Sequence, residues 1–273
     1  MEKKYKLTEE TINVSGRTLY RIEALKDFGD VKKGDKGGFL EKEDNLSQKG
    51  DCWVYDNAKV IGNAKVSCNA RVCGNAMVYD NAKVGGNAKV SGNAIVYDNA
   101  IVYGKASVCD NTSVYGNADV YGMAKIYGNA KVCGNTKVYG DAFVCDYAEV
   151  YDYVEVWDDA LVCGHAKIYG NAKVFNNSIV GDNAKVCGKA EVFGHTEIRG
   201  GAVITSNSDY IVFKNWWSSG RYFTWTRSNN MWKVGCFYGT GKELIEKAYK
   251  DSELSGREYE RIVKYVKTDY KGK

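Results

Sequence analysis

The sequence predicts a mainly β chain whose middle is a solenoid of very short parallel strands, with a β cap before it and a small α+β domain after it. Three observations carry this. From Val54 to Val203 the 273-residue chain divides without an insertion into twenty-five hexads, beginning VYDNAK, VIGNAK, VSCNAR, VCGNAM. The first position of every hexad is Val or Ile, and the fifth is Ala, Ser or Thr everywhere except Val154. From Thr205 onward the repeat is gone, and aromatic and β-branched runs give way to two amphipathic helical patterns. The boundaries that follow are 1–53, 54–203 and 204–273.

The N-terminal segment holds one strand, Arg17 to Leu25, then a Gly-rich charged stretch, FGDVKKGDKGGFL, before NLSQKGDCWV leads into the first hexad. In each hexad the branched first residue and the small fifth residue face inward. The fourth position is Asn in fifteen hexads and the third is mostly Gly or Asp, which suits a sharp corner with left-handed backbone. Position six, often Lys, and position two, often Tyr, should point outward as side chains alternate across the strand.

In the tail, YIVFKNWW, RYFTWTRS and MWKVGCFYG read as three strands. Two helices follow, with capping-box patterns at Thr240/Glu243 and Ser255/Glu258. Their apolar faces are Leu244, Ile245, Ala248, Tyr249 and then Tyr259, Ile262, Val263, Val266. The expected order is βββαα.

The hexads resemble the hexapeptide pattern of the left-handed parallel β-helix, in which three hexads make one triangular coil. Handedness rests on that resemblance. An 18-residue coil can be checked internally, because residues 18 apart should stack on successive coils. Sorted so, the second positions form a column Tyr103, Tyr121, Tyr139, Trp157, Phe175, Phe193, a second rich in Tyr, and a third holding Cys73, Cys109, Cys145 and Cys163. Eleven of the thirteen aromatics at this position fall in the first two columns. At ~4.8 Å per coil the rod would be roughly 40 Å long. Phe28 to Leu40 and Asn45 to Val60 resemble the YdcK-like family and phage and prophage hexapeptide-repeat proteins. That resemblance implies architecture and a phage context, without a reaction. GCFYGTGKELIEKA is similar to a small C-terminal domain of phage proteins.

With 44% apolar residues there is enough for a buried core, and the net charge of +4 arises in the tail, where thirteen basic residues face eight acidic ones. No apolar run suits a signal peptide or a membrane span, and six of nine cysteines share one repeat position. These features predict reduced thiols and a cytoplasmic protein, host cytoplasm if phage-encoded, with no membrane partner. The near-neutral rod argues against DNA mimicry.

Relatives of this fold that transfer acyl groups use a His at a subunit interface and a loop that breaks from the coils. Here His165 and His195 occupy corner positions and no loop interrupts the hexads, so no catalytic residue is assigned. Stacked cysteines lie in a row and do not converge on a metal, so no metal or cofactor is expected. The aromatic column Tyr103, Tyr121, Tyr139, Trp157, Phe175, Phe193 is the principal interface candidate, to be covered by the tail, by a sister subunit or by a foreign protein. Trp216, Trp217, Arg221, Trp225 and Arg227 interleave aromatic and basic groups, a pattern that can grip single-stranded nucleic acid. The leading function is a non-catalytic scaffold or protein-binding module, with a host protein as partner if phage-encoded, or a homo-oligomer. A hexapeptide-type acyltransferase and a nucleic-acid-binding protein are the alternatives.

Overall fold

The computed structural model describes residues 3–270. Each hexad forms a two-residue strand from its sixth position and the next hexad's first, as in Lys59–Val60 and Lys65–Val66. Strands 18 residues apart pair in parallel, Lys89 with Ser107 and Ser107 with Lys125, so three hexads make one coil and the coils build three flat faces. The Val or Ile at position one and the small residue at position five are buried along the whole prism. Each buried Val contributes roughly 1.5–2 kcal/mol, and the small residue beside it leaves room for the three walls to approach one another.

The corners follow from backbone geometry. The third position of every hexad, from Asp56 to Gly200, has φ between +51° and +74°. Glycine adopts this freely, and Asp compensates for the strain with a hydrogen bond. The Gly74 N–H donates to the Asp56 carboxylate at 2.8 Å, and the Gly128 N–H to Asp110 at 2.9 Å. Asn at position four donates its amide to the Asn one coil on, as in Asn81 to Asn99 at 3.2 Å and Asn99 to Asn117 at 3.1 Å. Most side chains at position two are half-buried by their own column neighbours; Tyr103 and Phe193 are exposed, and Ile61, Cys145 and Cys187 are buried outright.

One coil precedes the first hexad. A hairpin of β1 (Tyr5–Val14) and β2 (Arg17–Ala24) pairs antiparallel with β3 (Lys36–Leu40). The β3 strand then pairs in parallel with Lys59–Val60, Leu46 bridges to Val66, and Trp53–Val54 pairs with Arg71–Val72. The prism therefore has about nine turns. This coil does not read as a hexad because eight residues, not six, separate Leu46 from Val54.

Position-six, position-two and position-four N–H groups donate to the following coil, for example Lys59 to Ala76, Ile61 to Val78 and Asn57 to Gly74. The prism thus exposes backbone oxygens at its start and N–H groups at its end. Two caps answer them. At the start, Lys4 Nζ donates to the Gly50 and Cys52 oxygens at 3.1 and 2.9 Å, and the single proton of the Tyr5 hydroxyl is shared between those of Glu43 and Leu46 at 2.7 and 2.8 Å. At the end, the N–H groups of Glu191, Glu197 and Val203, one per face, donate to side-chain oxygens of Asn207, Thr224 and Ser228 at 2.7, 3.1 and 2.7 Å.

The C-terminal domain is an antiparallel sheet with α1 (Gly241–Asp251) and α2 (Glu253–Tyr265) against it. It has four strands where the sequence suggested three, because MWKVGCFYG folds back on itself at Gly235, leaving Met231–Val234 and Phe237–Gly239. Thr240 and Glu243 form the expected capping box. The second helix starts earlier than expected: Ser252, not Ser255, is its cap, accepting the Ser255 N–H at 3.1 Å. Among the described residues no helix is long and apolar enough to cross a membrane.

Candidate functional site

The third face carries the aromatic column. Position two is the last residue before each corner, so parallel, in-register coils hold identical positions one strand spacing apart and force their rings into a stack. From Tyr103 to Tyr121, Tyr139, Trp157, Phe175 and Phe193 the ring centroids are 5.2, 4.8, 5.8, 4.3 and 5.4 Å apart, with planes within 17° of parallel. Tyr103 and Phe193 at its ends are 44% and 45% exposed. Burial pushes the Tyr121 hydroxyl up, and burial with the nearby Glu155 carboxylate pushes that of Tyr139 up to about 12. Beside the column run mixed charges, with Lys137 paired to Glu155 at 3.6 Å and Lys173 to Glu191 at 3.5 Å.

This geometry limits what the column can bind. Ring faces are consumed by neighbouring rings, so an incoming molecule meets ring edges and the hydroxyls of three tyrosines. Bases and sugars that stack need a free face, available only at the column's ends. The tail does not fold back along the column, which removes the expectation that it serves as the cover. It meets only the last coil, where Phe193, His195, Thr196, Tyr210, Phe213 and Tyr222 line a mostly apolar cleft of about 590 Å³. The sequence offered no sign of this cleft, because it forms between two units whose docking no local pattern specifies.

The two histidines are corner residues. His165 stacks on Tyr147 at 4.9 Å and His195 on Tyr222 at 4.5 Å. Among the described residues neither imidazole has a hydrogen-bond or ion-pair partner, so nothing orients one as a general base.

The basic aromatic set of the tail does not form one surface. Trp225 is fully buried, with Nε1 donating to Asn230 at 3.1 Å, so it is unavailable to a base and its place among the interface candidates is corrected. Trp217 packs edge-on against Tyr259 and Phe223 inside the domain. Arg227 lies over the Tyr270 ring at 5.0 Å. Trp216, 73% exposed, and Arg221 remain at the surface. A small sheet needs its aromatic residues for its own core, and that need outweighs the binding pattern here.

Comparison with known proteins agrees with the repeat. The family model of the YdcK β-solenoid repeat matches residues 70–86 and 88–104, each stretch nearly one coil. A protein of Escherichia coli (strain K12), described as the uncharacterized acetyltransferase YdcK, is 40% identical over 81 residues, covering 26% of this chain. The chain spans a quarter of that relative's length, 25%. The repeat region is a YdcK-like β-solenoid.

Proposed function

We propose that the chain is a non-catalytic protein-binding scaffold: a stiff prism that presents an aromatic strip and holds the C-terminal domain at its end. The observation supporting this is the unbroken column of six rings from Tyr103 to Phe193 on a shaft with no inserted loop. An apolar strip of that length on a flat face is the kind of surface that proteins cover. The partner is another protein or a second copy of this chain.

A second reading has two observations in its favour. The E. coli relative carries the description acetyltransferase, and the cleft beside His195 is apolar and large enough for an acyl group. Against it stands the unoriented imidazole, lying flat on Tyr222.

The test combines Tyr139→Glu with Trp157→Glu. The inner Val and Ala columns are untouched, so circular dichroism should be unchanged. Wild type is expected to retain a partner from cell extract, or to form an oligomer by light scattering, that the double variant loses. An unchanged partner set and mass would defeat the scaffold reading at this face. Acetyl-CoA binding by calorimetry that disappears in His195→Ala would replace it with acyl transfer.

A further inference from the structure

The second face holds an arrangement that the scaffold role does not use. Its position-two column runs Tyr127, Cys145, Cys163, Gly181, Arg199. Glycine at 181 leaves a gap, and the Arg199 side chain lies down into it: a Cβ at Gly181 would sit 2.3 Å from Arg199 Nη1 and 3.1 Å from Cys163 Sγ. Arg199 thereby reaches across a whole coil and donates to Cys163 Sγ at 3.8 Å. On its other side Cys163 is followed one coil down the same column by Cys145, and Cys145 by Tyr127, their strands paired in register. Cys163 is partly exposed, whereas Cys145 is buried, 4% exposed.

We propose that Cys163, Cys145 and Arg199 form a dithiol exchange site that takes small disulfides as substrate and is itself oxidised to a Cys145–Cys163 disulfide. Position assigns the roles. The Arg199 guanidinium donates to Cys163 Sγ and favours a thiolate on this partly exposed residue, while buried Cys145, one coil away, is the resolving thiol. Consistently, the neighbouring Cys145 thiol and the Arg199 charge bring the Cys163 thiol down, while the neighbouring Cys163 and burial push Cys145 up. Asp146 opposes ionisation of Cys163, and Asp182 and Glu197 lie 3.8 and 3.7 Å from the guanidinium, so the net effect depends on Arg199 being nearest.

The chemistry balances. The Cys163 thiolate attacks one sulfur of R–S–S–R, that bond breaks, and RS⁻ leaves with the electron pair. Cys145 then loses its proton to water and attacks Cys163 Sγ, expelling the second RS⁻ and closing the internal disulfide. Two protein thiols are oxidised, one substrate disulfide is reduced to two thiolates, and one proton is released. Coils spaced about 4.8 Å apart bring the two Cα atoms within the range that disulfides span, about 4.4–6.8 Å.

The probe is an aromatic disulfide, dithiobis-nitrobenzoate, used on the full chain with the exposed thiols removed as Cys68→Ser and Cys236→Ser. Released nitrothiobenzoate is followed by absorbance and each cysteine by peptide mass. At pH 7 Cys163 should react about tenfold or more faster than Cys73 or Cys109, on the same column but with no arginine hydrogen-bonded to the sulfur. The products should be two nitrothiobenzoates and a Cys145–Cys163 peptide pair. Cys145→Ser should stop the reaction at one equivalent, with a stable mixed disulfide on Cys163. Arg199→Met should slow Cys163 at pH 7 and raise its titration midpoint, and Arg199→Lys should restore part of the rate. The site is refuted if Cys163 reacts no faster than Cys73 and Cys109, if a mixed disulfide persists while Cys145 is present, or if Arg199→Met changes neither rate nor midpoint.

Discussion

At the N-terminal end of the prism, backbone oxygens of the first coil are met by Lys4 Nζ and the Tyr5 hydroxyl, whereas at the C-terminal end backbone N–H groups of the last coil are met by oxygens of Asn207, Thr224 and Ser228. The exchange of donors for acceptors follows from the direction of the chain, since a coil whose N–H groups point forward leaves oxygens behind it. The ends also differ in depth. Lys4 and Tyr5 are buried, at 1% and 0% exposure, and Tyr5 belongs to the solenoid core together with Ile22, Leu40 and Trp53. The C-terminal domain packs its own core around Phe223, Trp225, Trp232 and Tyr259, and touches the prism through polar contacts, through Tyr210 and Val212, and through Tyr222 stacked on His195. The first cap is part of the rod, and the second is a separate unit docked on it.

If that contrast holds, Lys4→Met is the most damaging of these changes. It strips the donor from two oxygens, that of Cys52 in a buried contact, and should cost about 2–4 kcal/mol in urea unfolding followed by circular dichroism. An unchanged midpoint would mean that the amine is incidental and the two ends are not sealed differently.

Tyr5→Phe removes one hydroxyl that serves two oxygens and should cost about 1–3 kcal/mol at pH 8. Its pH dependence sharpens the argument. Burial raises the folded-state pKa of Tyr5 above its ordinary value of 10.0. Its stabilisation is therefore complete below pH 10 and lost as pH rises further, because only the unfolded chain then ionises readily. The gap between wild type and Tyr5→Phe in urea midpoint should shrink from pH 8 to pH 11. A constant gap would place the contribution in the ring and not in the hydroxyl.

Thr224→Val is the C-terminal counterpart and should have the smallest effect, about 1 kcal/mol, because it orphans a single N–H where the second unit can adjust. Hydrogen exchange reads it directly: the Glu197 amide should exchange faster while amides of the middle coils are unaffected. If the whole prism loosened instead, the C-terminal domain would be as integral as the N-terminal cap.

Much of the prism was legible in the sequence because one short rule is applied many times. Val at position one, Ala at position five and Gly or Asp at position three each answer to a local demand: a filled interior, a narrow interior and a positive φ. The column sorting that grouped Tyr103 with Phe193 worked because 18-residue spacing converts directly to stacking. The N-terminal coil was missed because two extra residues before Trp53 break the period, and β1 because YKLTEETINV lies along the sheet edge with little apolar alternation. Trp225 was misread as a surface group because a binding strip and the core of a small sheet use the same residues.

The sequence by itself determined the period, the inner columns, the corners and which side chains share a column, all of which depend on residues within one coil of each other. Tertiary structure alone decided which way the open edges point, that Lys4 would be buried to close one of them, that the tail would dock on the last coil and leave the aromatic column uncovered, and that Arg199 would lie across Gly181 onto Cys163. Those outcomes depend on backbone direction and on the reach of long side chains across coils, and no pattern of neighbouring residues encodes either.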